Sequence, residues 1–360
     1  MTNLFENESF DDHEQVIFVS DKSCDFRGII GLHNTALGPA AGGCRLFPYA
    51  SEQDALQDVL RLSRGMTMKN AAAGLPLGGG KCVIIGDPVS DKKERWLLAM
   101  ARHVARLHGR FWTAIDVGVS PEDADIMAEE CDYIFARASE FTNDCPPSHY
   151  TVLGGLEGFR AATQYLRGSD NMKGLRIAVQ GVGQTGRDLI EQLTEQGAII
   201  IAADVDRSAL DGVVKDFGVA TVPPDEIHAQ EVDIFSPCAL GGILNDKTIP
   251  ELNCTAVVGL ANNQLQTHEQ GRKLLDRGIA YAPDFIVNAG GVIGCSTPIF
   301  SKRDKAESLK NISKIYHVTL SILERSRDEK VPAEIIAESI ALERINNCLL
   351  YTSPSPRDRG

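Results

Sequence analysis

Apolar positions in the first third of the chain follow two periods. In EQVIFVS (14–20) and RGIIGLHN (27–34) they gather in short β-branched runs, which predict two neighbouring strands. After Ser51, the residues Ala55, Leu56, Val59, Leu62 and Met66 recur at helical spacing, so a helix capped by Ser51 is predicted to run toward Ala73. GLPLGGGK (74–81) then reads as a glycine-rich turn leading into a strand CVII (82–85). A helix over 91–108, a strand FWTAI (111–115) and a helix opened by Ser120 and Pro121 complete this part.

The remainder is more regular. A helix from near Thr151 leads to the strand RIAVQ (176–180). The β-rich runs AIIIAAD (198–204), VDIFSP (232–237), AVVGLA (256–261) and IAYAPD (279–284) follow at crossover spacing. Such spacing predicts a parallel, doubly wound sheet. Helical stretches cover roughly 304–328 and 332–347, and LLYTSPSPRDRG (349–360) has no periodicity and reads as a disordered tail. The fold class is therefore α/β in two domains. An N-terminal α/β domain spans 1–145 with about 330–348 returning to it, and a Rossmann-type, doubly wound domain spans 146–329.

Composition narrows the function. The 360 residues are 43% hydrophobic and 24% charged, enough for large cores without covalent staples. Net charge is -13, from 36 basic and 49 acidic residues, which argues against a nucleic-acid partner. Nine cysteines without a CxxC pair argue against a disulfide framework or a metal site, and for free thiols in a reducing cytoplasm. The acidic start MTNLFENESFDDHEQ has no apolar core of the signal-peptide kind, and AIIIAADV (198–205) is too short to span a bilayer, so no membrane partner is expected.

GVGQTG (181–186) is the strongest local signal. It is a full GxGxxG placed after a predicted strand and before a helix carrying Leu189, Ile190 and Leu193. Gly181 permits the tight turn, Gly183 lets backbone approach a pyrophosphate, and Gly186 lets helix pack on strand, with Val182, Gln184 and Thr185 between them. The helix N-terminus then offers N–H groups to the anion. Asp204 lies about 20 residues on, where a carboxylate would take the ribose hydroxyls and repel a 2′-phosphate. That favours NAD over NADP, although Arg207 lies close by; the competing role for Asp204 is a helix cap.

Lys69 and Lys81 bracket the glycine-rich stretch. Lys81 enters an apolar strand, and burial disfavours an ammonium, which is the route by which a lysine becomes a general base near neutral pH. A nucleotide phosphate-binding loop is excluded, because Leu75 stands six residues before Lys81 and Cys82 replaces the Ser or Thr that would hold magnesium. A surface lysine after a flexible turn is the competing reading. Asp116 ends FWTAI, a place that suits either a cleft-lining carboxylate or a loop cap.

Taken together, LGPAAGGCR (37–45), LRLSRGMTMKNAAAGLPLGGGKCVIIGDP (60–88), TAIDVG (113–118), AVQGVGQTG (178–186), PCALGGILN (237–245), GLANNQL (259–265) and YAPDFIVNAGGVI (281–293) resemble the glutamate/leucine/phenylalanine/valine dehydrogenase family, and its leucine-acting members most closely. The resemblance covers roughly residues 14–347. It implies NAD-dependent oxidative deamination of an L-amino acid to a 2-oxo acid and ammonia, by a homo-oligomer. It implies that Lys69 binds the substrate carboxylate, Lys81 is the general base that activates water, and Asp116 carries a proton to and from the amino group. It also places Thr151, Cys238, Ala239 and Asn262 at the cofactor. Helix capping at Thr151 and turn formation at Asn262 and Asn263 are competing roles.

Substrate choice follows from the same resemblance. A glutamate-specific pocket supplies a lysine where this chain has Ala41. Gly42, Ala114, Val292 and Cys295 would complete a small, uncharged wall, which favours an apolar side chain over an acidic one. Leucine, valine and isoleucine are the expected substrates. Ala41 stands where a larger residue is common, so phenylalanine or tryptophan remains an alternative, as does an inactive NAD-binding scaffold. His33, His108 and His149 are assigned structural or surface roles.

Overall fold

A computed structural model describes residues 4–7, 9–141, 146–239, 241–300 and 305–352. The chain divides into two compact units, one of residues 1–144, 298–303 and 341–360, the other of 145–297 and 304–340. The chain joins the first unit again at 298–303 and returns to it finally at Ala341, later than residue 330. Residues 333–340 belong to the second unit, where Glu334 lies against Gly271.

The first unit is built from β1 (Gln15–Asp21), β2 (Phe26–Asn34), β3 (Ala40–Phe47), α1 (Glu52–Ala72), β4 (Gly78–Ile85), α2 (Lys93–Ala105), β5 (Phe111–Ile115) and α3 (Pro121–Ala128). Its sheet has the order β1-β2-β4-β3-β5. β1 and β2, the two strands predicted as neighbours, pair antiparallel, whereas β3 runs parallel to both β4 and β5. Side chains of Ile30, Leu32, Cys44, Leu46, Cys82 and Ile84 pack one face against α2 and α3. Ile29 and Val83 pack the other against Val59 and Leu60 of α1. Each such side chain contributes about 1.5–3 kcal/mol by leaving water. Ser51 caps α1, its hydroxyl accepting the Asp54 N–H at 3.1 Å, and Ser120 and Asp123 form a reciprocal capping box on α3.

Two elements of this unit differ from the sequence reading. Gly78–Gly80 is not a turn: the three glycines open β4 in the middle of the sheet and are buried. A Cβ on Gly79 would stand 2.1 Å from the Thr67 backbone nitrogen, and one on Gly80 2.8 Å from the Phe111 ring. These glycines let α1 and the neighbouring strand pack closely on β4. β3, the stretch AAGGCRLF, carries no alternation because neighbours cover it on both sides, as buried strands generally are.

The second unit comprises α4 (Pro147–Arg167), β6 (Arg176–Gln180), α5 (Gln184–Glu195), β7 (Ile199–Ala203), α6 (Arg207–Phe217), β8 (Ala220–Thr221), β9 (Ile234–Pro237), α7 (Thr248–Glu251), β10 (Ala256–Val257), α8 (Glu269–Asp276), β11 (Ala280–Tyr281), α9 (Asp284–Val287), most of α10 (Gly290–Phe300), α11 (Lys305–Ile312), α12 (Lys314–Glu329) and the start of α13 (Ala333–Thr352). The sheet order is β11-β10-β9-β6-β7-β8, and every pair is parallel. This is the doubly wound dinucleotide-binding order, which reverses direction between β6 and β9. α4 starts at Pro147, four residues before Thr151, with proline preset for the first helical position. α13 continues through Thr352, so 349–352 are helical; the rest of the expected tail, 353–360, lies outside the described residues.

Candidate active site

The strand period puts Gly79 and Lys81 of β4 on the face covered by α1. Ala41 pairs with Gly79, and Gly43 pairs with Ala114, so both alanines share that face. Ala41 is sealed from solvent, and Ala114 and Lys81 are buried. Asn70 fixes α1 to the sheet here. Its amide donates to the carbonyls of Gly78 at 2.6 Å and Ala41 at 3.3 Å, while its own buried oxygen has no partner among the described residues. The preceding residue, Lys69, is half-buried near the end of the same helix. Gly42 faces backbone: a Cβ there would meet the Gly80 carbonyl oxygen at 1.9 Å.

Lys81 and Asp116 meet. Lys81 Nζ lies 3.2 Å from Asp116 Oδ2. Asp116 follows β5 directly, and Gly43 leaves room for it, since a Cβ on Gly43 would stand 2.9 Å from Asp116 Cβ. The next partner has no signal in its own sequence neighbourhood. Arg45, from β3, donates through Nε to the same Asp116 oxygen at 2.7 Å and through a terminal nitrogen to Asp58 Oδ2 of α1 at 2.8 Å. Tyr49 donates its hydroxyl to Asp58 at 2.7 Å. Burial pushes the Asp116 carboxyl up, but Lys81 and Arg45 outweigh it and hold the group below the usual carboxylate range. The site is thus a half-buried, ionised carboxylate between two cations.

The histidines serve the scaffold. His33 Nδ1 lies 2.8 Å from Thr67 Oγ1, the residue seated on Gly79, and His13, which the sequence reading passed over, meets Ser63 Oγ at 2.9 Å. His149 pairs with Asp188 at 2.8 Å, between α4 and α5.

In the second unit the predicted cofactor residues gather at the C-terminal ends of β6, β7, β9 and β10. Gly181 has φ +97° and abuts Ala239, where a Cβ would lie 2.8 Å from the Ala239 methyl group. Gly186 faces the Gly181 carbonyl oxygen at 2.0 Å from a hypothetical Cβ, so α5 can start only on glycine there. Gly183 differs: a Cβ would meet nothing within 4 Å. That open cradle at the N-terminus of α5, beside Val182, Gln184 and Thr185, fits a pyrophosphate. Asp204 follows β7, and its carboxylate accepts the Val182 N–H at 2.7 Å and the Asp206 N–H at 2.8 Å. The helix cap is Asp206, not Asp204. Cys238 closes β9 with its N–H on the Gln180 carbonyl at 2.7 Å, and burial raises its thiol.

Asn262 follows β10, its side-chain oxygen accepting from Asn288 at 2.8 Å, and Asn263 occupies the left-handed region at φ +53°. Thr151 of α4 stands against Gly291 of α10, where a Cβ would lie 2.5 Å from its hydroxyl. Val292 and Cys295 also lie on α10, in the second unit, whereas Ala41, Gly42 and Ala114 belong to the first. None of the eight described cysteines forms a disulfide. Among the described residues no cluster of three or more His, Cys, Asp or Glu could hold a metal, and no helix is long and apolar enough to cross a membrane.

Comparison with known proteins places both units in one family. The family model "Glu/Leu/Phe/Val dehydrogenase, dimerisation domain" matches residues 13–133, and "Glutamate/Leucine/Phenylalanine/Valine dehydrogenase" matches 203–345. The chain belongs to the glutamate/leucine/phenylalanine/valine dehydrogenase family. Within this family it is 42% identical to leucine dehydrogenase of Geobacillus stearothermophilus over 351 residues, covering 98% of this chain and 95% of the relative. It is 43% identical to valine dehydrogenase of Streptomyces coelicolor, covering 92% of each. The crystal structure of L-tryptophan dehydrogenase from Nostoc punctiforme superposes with a TM-score of 0.82 at 39% identity, covering 94% of this chain and 97% of that one.

Proposed function

We propose that this chain catalyses the NAD-dependent, reversible oxidative deamination of branched-chain L-amino acids (leucine, valine, isoleucine) to the 2-oxo acid and ammonia. The observation that carries the chemistry is the Lys81–Asp116 contact at 3.2 Å, a buried amine beside an ionised carboxylate. In this reading Lys69 holds the substrate carboxylate as a fixed cation. Asp116 takes a proton from the substrate ammonium and returns one to leaving ammonia. Lys81 as general base takes a proton from the attacking water, and the ammonium so formed holds the oxygen that develops at Cα. Bound NAD supplies the acceptor for the hydride that leaves Cα. The Gly181–Gly186 turn, with Asp204, Cys238, Ala239, Asn262 and Thr151, would hold and orient it.

Ala41, Gly42, Ala114, Val292 and Cys295 are the proposed side-chain wall, and none offers a charge to a glutamate side chain. The likeness to leucine and valine dehydrogenases supports the branched-chain substrates. A second reading, an aromatic amino acid, has its own support in the likeness to the tryptophan dehydrogenase and in the small side chain at Ala41. One methylene in an apolar pocket is worth about 1–3 kcal/mol, so substrates overlap and ratios decide. Turnover is compared on leucine, valine, isoleucine, phenylalanine, tryptophan and glutamate by NADH absorbance. The expected order puts the branched-chain acids first and glutamate last; phenylalanine or tryptophan ahead of leucine establishes the second reading. A Lys81→Ala protein with normal turnover overturns the assigned chemistry.

The match to a dimerisation domain in the first unit supports a homo-oligomer, and the lack of a disulfide among the described cysteines supports a reducing, cytoplasmic setting.

A further inference from the structure

The assigned chemistry uses one carboxylate, Asp116, and that carboxylate is not free to turn. Oδ2 is taken twice, by Arg45 Nε at 2.7 Å and by Lys81 Nζ at 3.2 Å. The contacts of Arg45 and Lys81 with this carboxylate both fall on Oδ2. Arg45 is itself fixed at both ends of its fork. Its terminal nitrogen rests on Asp58 Oδ2, which also accepts from Tyr49, while Asp58 Oδ1 pairs with Arg61 at 3.0 Å. Four elements thereby converge on one planar group: β3 supplies Arg45, the stretch after it Tyr49, α1 Asp58, and the end of β5 Asp116. Side-chain exposure along the chain of contacts is low, 20% for Arg45, 15% for Asp58 and 22% for Asp116, so screening by solvent is limited.

We propose that Arg45 is a positioning residue for the proton transfer: it grips Oδ2 of Asp116 so that Oδ1 alone is presented to the substrate amine, and Asp58 with Tyr49 holds the grip. The proposal rests on the reading of Asp116 as the proton carrier. A guanidinium suits the task because its rigid fork reaches two carboxylates at once, which an ammonium on a flexible stem does not. Lys81 alone would leave the carboxylate a single tether, and that tether is also assigned to the substrate oxygen. Burial works against the charge of Arg45, but Asp116 and Asp58 outweigh it and raise its affinity for the proton, so the grip stays cationic throughout the working range. The same cation helps keep Asp116 ionised and ready to accept a proton.

The test is the pH profile of kcat/KM for leucine oxidation in Arg45→Gln, Arg45→Lys and Asp116→Asn proteins. Arg45→Gln removes a cation that holds the Asp116 carboxyl down, so the acid limb is expected to move to higher pH. Its kcat is expected to fall about 10- to 100-fold, part of what general acid–base catalysis supplies, with the leucine KM changed far less. Arg45→Lys is expected to keep the acid limb near its original place yet lose kcat about tenfold, because the second carboxylate is out of reach. A folded Arg45→Gln protein with unchanged kcat and acid limb overturns the proposal. If Arg45→Gln is not recovered folded, Arg45→Lys decides, and wild-type kcat in that protein overturns it. Asp116→Asn separates the two levels of inference. Normal turnover there refutes the reading of the site, whereas an inactive Asp116→Asn beside a normal Arg45→Gln refutes only the role of Arg45.

Discussion

Glu334 sits near the start of α13 with 5% of its surface exposed, and neither carboxylate oxygen has a hydrogen-bond partner among the described residues. It is wedged against Gly271 of α8, with Glu338 on its own helix, Arg272 on α8 and Tyr281 of β11 around it. Burial, with a smaller push from Glu338, raises its carboxyl from 4.5 to about 7. A carboxyl raised on folding stabilises the fold fully below its unfolded value, and that contribution is lost as pH rises through the folded value. Above neutrality the buried charge therefore costs roughly 3 kcal/mol. Glu334→Gln is expected to raise the urea midpoint at pH 8 and to leave it nearly unchanged at pH 5. An equal shift at both values would mean that the carboxyl is not held neutral in the fold. Residues of this kind are illegible in a sequence, because a glutamate in the first turn of a helix normally faces solvent. The flanks of Lys81 and Asp116 left a surface lysine and a loop cap open, and only the family resemblance singled the two out. Arg45 was not singled out, because its partner stands 71 residues away and only the sheet brings them together.

At the scale of elements, the glycines of the two units do different work, and substitution separates them. Gly183 caps α5 over open space, with φ -61°, a backbone that alanine adopts without strain. Gly183→Ala is expected to leave stability within about 1 kcal/mol of the parent while NAD affinity falls tenfold or more, because the added methyl group occupies the cradle. Gly186→Ala places a methyl group against the Gly181 carbonyl oxygen and is expected to cost about 1–3 kcal/mol of stability. Denaturant unfolding and NAD titration of both proteins check the contrast, and equal loss of NAD affinity with equal destabilisation contradicts it. The GxGxxG turn was readable because its glycines follow a recognisable strand. Gly78–Gly80 was misread as a turn because the same residue type serves close packing: only the α1 backbone at Thr67 shows why no side chain fits at Gly79. β3 escaped notice for a related reason, since small residues covered on both sides leave no period to read, and β8, two residues long, has too few positions to show one.

At the scale of the whole molecule, each unit carries its own apolar core. Phe159, Ile177, Leu189, Ile190 and Ile234 anchor that of the second, and Phe26, Leu46, Leu97, Met100 and Phe111 that of the first. The candidate cofactor residues, from Gly181 to Asn262, all belong to the second unit. A ligand that binds only the folded state stabilises whatever unfolds with its site, by about 2.7 kcal/mol at one hundred times its Kd. NAD at that level is therefore expected to slow hydrogen exchange about a hundredfold at core amides of β6 and β7, which open only when the second unit unfolds. Amides of β1–β5 report separately whether the first unit opens with it: protection there of the same size means one cooperative transition, and none means two. The Gly183→Ala protein is expected to lose the protection at equal NAD concentration. Protection confined to β1–β5, or absent at saturating NAD, would place the dinucleotide elsewhere and undo the assignment of the Gly181–Gly186 turn.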